Sequence, residues 1–119
     1  MKCVNYMEIH KGDIVYADLG GTIGSEQSGF RPVIVIQNDV GNKFSPTIIV
    51  APLTSKMKKQ ALPTHVDIGE RFGLAEHSIA LLEQVRTIDR KRLSDYVGTV
   101  DSKTIKQVDA ALHVSFDLS

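Results

Sequence analysis

The sequence predicts a mostly β fold: a small, strongly curved antiparallel sheet or barrel, followed by one C-terminal helix. Short runs of β-branched and other apolar residues, separated by polar or glycine-rich loops, recur along the chain as far as Val100. After Asp101 the apolar residues recur at steps of three and four, which is typical of an amphipathic helix. Because the strands come first and the helix last, an antiparallel sheet capped by a helix is the simplest architecture.

Six segments have the composition of strands. The first and third carry apolar residues on both faces, which predicts burial on both sides of the sheet. The second begins with Pro32, whose missing N–H places it at the start of a strand or on an edge. The fifth runs on past residue 82 as one longer strand. The predicted strands are residues 13–19, 32–36, 47–53, 65–68, 78–82 (continuing to 88) and 95–100.

Three connections and one helix complete the predicted fold. Residues 20–30 form a glycine-rich loop, residues 41–46 a second loop, and residues 54–62 a polar, basic and mobile connection. The helix follows Asp101, whose carboxylate is suited to cap the first free backbone N–H groups. Its apolar face is expected to consist of Ile105, Val108, Leu112 and Phe116.

Length and composition predict one globular domain spanning residues 1–119, with residues 1–10 as a loose N-terminal extension. The 14 basic and 14 acidic side chains cancel, so net charge gives no indication of a nucleic-acid partner. One cysteine allows no internal disulfide, which fits a reducing cytoplasm, and we expect no membrane span. The four histidines lack metal-ligand spacing, so no metal is expected.

Residues 24–32 concentrate the groups that chemistry requires. Ser25, Glu26, Gln27 and Arg31 bring a hydroxyl, a carboxylate, an amide and a guanidinium into one glycine-flexed loop. Pro32 fixes the backbone where the loop joins the next strand, so Arg31 is held more firmly than at a loop tip. Two interpretations remain open from the residues alone: a structural Glu26–Arg31 salt bridge that closes the loop, or a functional site.

Five motifs resemble those of the MazF/PemK toxins, the mRNA interferases, and in particular their Gram-positive branch. The resemblance extends from Gly12 to Leu118 and implies a small SH3-like antiparallel β-barrel with a C-terminal helix. The motifs are Gly-Asp-Ile-Val-Tyr at 12–16, Gly-Ser-Glu-Gln-Ser-Gly-Phe-Arg-Pro at 24–32, Ile-Gln-Asn-Asp at 36–39, Phe-Ser-Pro-Thr at 44–47 and Leu-Glu-Gln-Val-Arg-Thr-Ile-Asp at 82–89.

The resemblance also implies roles for individual residues. Arg31 and Thr54 match the catalytic pair of the family, and Glu26 matches a carboxylate implicated in some members. The expected substrate-binding residues are Ser25, Gln27, Asn38, Phe44, Gln84 and Arg86. For Phe44, a place in the core is equally compatible with the sequence.

The implied activity is metal-free, sequence-specific cleavage of single-stranded mRNA, with no cofactor. The 2′-hydroxyl attacks the adjacent phosphorus and leaves a 2′,3′-cyclic phosphate, or a 3′-phosphate, and a 5′-hydroxyl; DNA lacks this nucleophile. The implied partners are a second copy of the chain, as a homodimer, and a cognate MazE-like antitoxin, with which the toxin binds DNA.

Two alternatives lack catalysis. One is a toxin of the same fold that binds DNA gyrase, and the other is a plain RNA-binding barrel. Neither requires a phosphate-binding arginine together with a threonine, so the presence of both Arg31 and Thr54 favours the endoribonuclease.

Overall fold

The computed structural model describes residues 8–21, 23–56 and 62–118, which form an antiparallel sheet and a C-terminal helix. This confirms the predicted mostly β, α+β class. The strands are β1 (Asp13–Asp18), β2 (Phe30–Val35), β3 (Thr47–Thr54), β4 (His65–Gly69), β5 (Ser78–Leu81), β6 (Arg86–Asp89) and β7 (Leu93–Thr99). The helices are α1 (Asp39–Phe44) and α2 (Ser102–Ser115). Most of the connection predicted at 54–62 lies outside the described residues.

The strand order is β4-β5-β3-β2-β1-β7, and β6 also pairs with β3. β2 lies along one edge of β3, while β5 and β6 share the other edge, one after the other. Within the described residues β4 and β7 remain edge strands, so the predicted closure into a barrel is wrong. At the β4 edge, helix α2 covers the sheet: its residues Val108 and Ala111 pack with Val66 and Ile68 of β4.

The long strand predicted over residues 78–88 is also wrong. A 3₁₀ helix, Leu82–Gln84, separates β5 from β6. Leu82 is fully buried in the core beneath α2, and its N–H donates to the carbonyl of Thr64 at 3.0 Å. The break lets two short strands pair in turn with one edge of β3. The sequence signal at this point is the polar pair Glu83 and Gln84, which follows the apolar run 79–82.

Helix α1 occupies the segment predicted as the loop 41–46. Asn38 caps it, because its Oδ1 accepts from the N–H of Gly41 at 2.8 Å. The N–H of Lys11 donates to Asp39, and this bond is the main reason that the pKa of Asp39 lies below its ordinary value. The sequence pattern does not predict this helix, because Gly41 lies inside it and glycine normally weakens a helix.

Two apolar clusters cover the two faces of the central strands. Ile14, Ile34 and Ala51 belong to the cluster beneath α2, whereas their neighbours Val15 and Val33 belong to the cluster on the opposite face. The predicted burial on both sides of β1 and β3 is therefore confirmed.

One residue near the N-terminus is more buried than the sequence predicts. Ile9 lies in the second cluster and is only 5% exposed, so part of the stretch expected to be loose packs against the fold. Residues 1–7 of that stretch lie outside the described residues.

Helix α2 begins where the sequence predicts. The carboxylate of Asp101 accepts from the N–H of Thr104 at 2.9 Å, which confirms the N-cap. Val108 is fully buried, and Ile105 and Leu112 pack against the same cluster. Phe116, however, ends the helix with 57% of its surface exposed, so it does not belong to the apolar face. No helix among the described residues is long and apolar enough to cross a membrane.

We expect Asp101→Ala to lower the Tm at neutral pH, because the helix then loses its cap. The side-chain hydroxyl and then the backbone N–H of Thr104 lower the pKa of Asp101 from its ordinary 3.8. A lowered pKa stabilises the fold above pH 3.8, and this contribution disappears as the pH falls further, through the folded-state pKa. Thermal melts of both proteins should therefore differ at pH 7 and converge at strongly acid pH. Asp101→Asn, which keeps a capping oxygen, is the matched control.

Candidate active site

Two neighbouring grooves lie beside the loop between β1 and β2. Gln27, a residue of this loop, lines both of them. The first groove has a volume of about 390 Å³ and contains Arg31 and Thr54. The second has a volume of about 530 Å³ and contains Glu26, Gln84 and Arg86. The structure thus divides the residues predicted from the sequence between two adjacent spaces.

The first groove is the outer end of the core beneath α2. Leu53 and Leu74 belong both to that core and to the groove lining. On the face of β1 that points to this core, the buried Ile14 is followed by Tyr16, which is only partly buried. This face is therefore open to solvent at that end of the β1–β2 pair. Strands held by the core therefore form the floor of the groove, which favours a fixed geometry.

Arg31 is the second residue of β2, opposite Ala17 on β1. Its Nε donates to the carbonyl of Ser28 at 2.9 Å, and its Nη1 donates to the carbonyl of Leu53 at 3.3 Å. These two backbone bonds orient the guanidinium in the groove. Among the described residues no salt bridge joins Arg31 to Glu26, so the interpretation of this pair as a loop-closing salt bridge has no support.

Thr54 is the last residue of β3 and only 8% exposed, yet it lines the first groove. Its Oγ1 accepts a hydrogen bond from the backbone N–H of Lys56 at 3.2 Å. Accepting this bond leaves the hydroxyl proton free for donation to a molecule in the groove. Lys56 lines the same groove and adds a second positive charge to that of Arg31.

Glu26 does not line the groove of Arg31 and Thr54. It is exposed on the β1–β2 loop, where its Oε1 accepts from the N–H of Ile23 at 3.1 Å. In the described residues the first groove is lined instead by the carboxylate of Glu76. The structure therefore brings together the arginine and the threonine predicted as a pair, but not their predicted carboxylate.

Gln84 ties the β1–β2 loop to the 3₁₀ helix. Its Oε1 accepts from the N–H of Gln27 at 2.8 Å, and its Nε2 donates to the carbonyl of Ser25 at 3.3 Å. The side-chain amide expected to contact substrate is thus engaged with the loop backbone. The side chain of Gln27 remains between the two grooves, and Ser25 lies exposed near the loop tip.

The remaining predicted binding residues are Arg86, Asn38 and Phe44, and they do not lie together. Arg86 begins β6 opposite Val50 and lines the second groove. Asn38 caps α1, and Phe44 ends α1 with 75% of its surface exposed, so Phe44 is not a core residue. Neither Asn38 nor Phe44 lines either groove.

The sequence did not single out two aromatic residues of the first groove. The rings of Tyr16 and Phe30 stack with centroids 5.1 Å apart and planes inclined by 8°. The alternating pattern of β1 predicts a buried face for Tyr16, and the glycine-rich pattern of residues 20–30 places Phe30 at the end of a loop. One feature could have identified them: the two aromatic residues lie on the adjacent strands β1 and β2, and Phe30 directly precedes Arg31.

Among residues 8–21, 23–56 and 62–118, no group of three or more His, Cys, Asp or Glu side chains is arranged to hold a metal ion. The charged side chains of the first groove are Arg31, Lys56 and Glu76. Such a groove is suited to an anion such as a phosphate diester, with Arg31 as its best-oriented donor.

The family model for PemK-like, MazF-like toxins of type II toxin–antitoxin systems matches residues 10–116 of the chain. The chain belongs to this family. It is 50% identical over 113 residues to endoribonuclease EndoA of Bacillus subtilis (strain 168), covering 94% of this chain and 97% of that protein. The resemblance predicted from the sequence motifs is therefore confirmed.

Solved structures confirm the MazF-like fold of the chain. MazF from Deinococcus radiodurans superposes with a TM-score of 0.79 at 22% identity, covering 92% of this chain and 97% of that one. An endoribonuclease in complex with its cognate antitoxin, from a mycobacterial species, gives a TM-score of 0.79 at 22% identity, covering 93% and 97%.

Proposed function

We propose that this MazF-like toxin is an endoribonuclease that cuts single-stranded RNA without a metal ion, by attack of the substrate's own 2′-hydroxyl. Family membership and the 50% identity to an endoribonuclease support RNA cleavage. The observation that carries the proposed chemistry is the meeting of Arg31 and Thr54 in one groove. DNA lacks the 2′-hydroxyl and is not a substrate for this reaction.

Arg31 stabilises the charge that builds on the phosphoryl oxygens during attack. Its planar guanidinium matches two oxygens of one phosphate, and the backbone carbonyls of Ser28 and Leu53 hold it in place. Preorganised donors of this kind are among the largest contributions to enzymatic rate. A permanent cation in the groove supplies the charge stabilisation that a metal ion supplies in other nucleases.

Thr54 donates a hydrogen bond to the phosphate, or relays a proton to the departing 5′-oxygen by giving up its hydroxyl proton and taking another from water. The N–H of Lys56 points at its Oγ1, which fixes the oxygen and directs the remaining proton away. The ammonium of Lys56 adds positive charge near the same phosphate. Burial of Thr54 keeps the hydroxyl in one position, because the surrounding core leaves it little freedom.

Removal of the 2′-hydroxyl proton falls to a carboxylate, and we assign this step to Glu26. Glu26 lies on the loop that also carries Gln27, the residue common to both grooves. An RNA strand that occupies both grooves passes this loop, and for this role the ribose beside the cleaved phosphate lies at Gln27, where the two grooves meet. Glu76, in the first groove itself, is the alternative proton acceptor.

The second groove receives the nucleotides that adjoin the cut. Arg86 offers a cation for a second phosphate, and the amide of Gln27 can pair with a base edge. Ser25, Asn38 and Phe44 lie on exposed segments and contact more distant nucleotides in this proposal. Gln84 contributes by holding the loop that carries Ser25 and Gln27.

The toxin acts as a homodimer in the cytoplasm and is inhibited by a cognate MazE-like antitoxin. Support comes from the family, which consists of toxins paired with antitoxins, and from the superposed complex of a mycobacterial endoribonuclease with its antitoxin. An acidic antitoxin segment that lies along Arg31, Lys56 and Arg86 would exclude RNA from both grooves. The alternative of a gyrase-binding toxin has no support among these relatives.

The decisive experiment incubates purified toxin with a long single-stranded RNA and excess EDTA. We expect undiminished cleavage, with every new 5′ end carrying a hydroxyl that a kinase can label without prior phosphatase treatment. Loss of cleavage on chelation and its recovery with magnesium would contradict the mechanism. A single-stranded DNA of the same sequence is the control and should stay intact, because it lacks the 2′-hydroxyl.

A further inference from the structure

The first groove holds an aromatic pair that the cleavage chemistry does not use. Tyr16 and Phe30 stack nearly parallel, with centroids 5.1 Å apart and 8° between the planes. Phe30 is nevertheless 61% exposed, one of the most exposed large apolar side chains of the described residues. A phenylalanine whose surface stays in water forgoes most of the stabilisation that burial gives.

The strand register explains how the pair is held. Phe30 lies opposite Asp18, and Pro32 lies opposite Tyr16, so the two rings are diagonal neighbours on one face of the β1–β2 pair. Such diagonal positions are within reach of aromatic side chains. Tyr16 is partly buried and stacks on one face of Phe30, while 61% of the surface of Phe30 stays exposed.

The exposed ring lies beside the groups that hold a phosphate. Phe30 and Arg31 are consecutive residues, and both line the first groove together with Thr54 and Lys56. A polymer that places a phosphate at Arg31 carries a base within one nucleotide of that phosphate. An unstacked base is a flat, apolar surface of the kind that stacks on an aromatic ring.

We propose that Phe30, supported by Tyr16, is the stacking platform for one unstacked base adjacent to the cleaved phosphate. The inference rests on the proposed RNA cleavage and adds a base subsite to it. A nucleobase suits the ring better than an apolar protein side chain does, because Arg31 and Lys56 flank it with positive charge. Every base has an aromatic face, so this subsite contributes affinity and orientation more than sequence selection.

The test begins with the wild-type toxin and a long RNA, whose new 5′-hydroxyl ends locate the cut. A short RNA with that site is then made with a 2′-deoxyribose at the cut, which prevents cleavage and allows equilibrium binding. In further copies single nucleotides near the cut are replaced, one at a time, by an abasic residue. For the wild type, we expect one abasic position to weaken binding about 5- to 140-fold, the range for loss of one base–aromatic stack.

Phe30→Ala should weaken binding of the intact RNA by a similar factor. The same abasic position should then have no further effect, because its base has lost its platform. Phe30→Tyr should restore both the affinity and the sensitivity to that position. The matched control is Phe116→Ala, which removes a phenylalanine that is 57% exposed at the end of α2, and it should bind as the wild type does.

Three results would overturn the inference. Unchanged affinity of Phe30→Ala would remove the ring from the RNA site, and so would a full abasic effect that persists in this variant. Conversion of the protein to a smaller species by Phe30→Ala, in sedimentation at the assay concentration, would assign the ring to contact between copies. A wild-type toxin that leaves RNA uncut would instead refute the proposed function, and the subsite would fall with it.

Discussion

Arg31→Ala should slow single-turnover RNA cleavage about 10²- to 10³-fold, the usual effect of removing one preorganised charge-stabilising donor. The two backbone carbonyls that accept from Arg31 orient its guanidinium before substrate arrives, so the loss acts on turnover. RNA binding should fall less, because Lys56 and Arg86 still meet phosphates and each such contact is a modest, salt-dependent contribution. Single-turnover rates and equilibrium binding on the same RNA separate the two effects.

Arg31→Lys is the matched variant for this prediction. Lysine keeps the charge but loses the planar pair of donors, so we expect only partial recovery of the rate. Thermal melts of both variants show whether lost bonds to Ser28 and Leu53 also destabilise the fold. Cleavage at the wild-type rate by a folded Arg31→Ala protein would remove Arg31 from the active site.

Glu26→Gln should lower the cleavage rate about 10²- to 10⁴-fold, the usual contribution of a general base. Glutamine retains an oxygen that can accept from the N–H of Ile23, so the loop should keep its conformation. Single-turnover rates of the wild type and of Glu26→Gln on the same RNA will show this loss.

Glu76→Gln is the comparison that makes this assignment testable. Glu76 lines the groove of Arg31 and Thr54, whereas Glu26 lines the adjacent one. If Glu76→Gln shows this loss of rate and Glu26→Gln cleaves at the wild-type rate, proton removal belongs to Glu76. Equal, wild-type rates in both variants would exclude Glu26 and Glu76 as the base.

Local patterns predicted most of the strands and the start of α2, because hydrophobic alternation and N-capping act within a few residues. Asp101 caps the helix as expected. The break at Leu82 depends on long-range packing, since this side chain fills the core beneath α2. Closure of the sheet depends on the pairing of distant edge strands, which the alternation within each strand does not specify.

The candidate site, like the fold, could be predicted from the sequence only in part. The motif resemblance predicted Arg31 and Thr54 as a pair, and both line the first groove. It did not reveal that the Gln84 amide binds the loop backbone, because hydrogen bonds between distant segments leave no trace in sequence spacing. The stack of Tyr16 on Phe30 also went unpredicted, since alternation in β1 pointed Tyr16 to the interior.

The strands that carry Arg31 and Thr54 are supported by the core, whereas the loop segment with Ser25 and Gln27 is bound by the side chain of Gln84, and this contrast has an evolutionary consequence. Arg31 and Thr54 belong to β2 and β3, whose neighbours are packed on both faces, whereas Ser25 and Gln27 reach the fold through Gln84. Substitutions at Ser25 and Gln27 can therefore accumulate without disturbing the strands that carry Arg31 and Thr54. If the toxin cleaves RNA as proposed, such substitutions would alter its contacts with RNA while the arginine and the threonine stay in place.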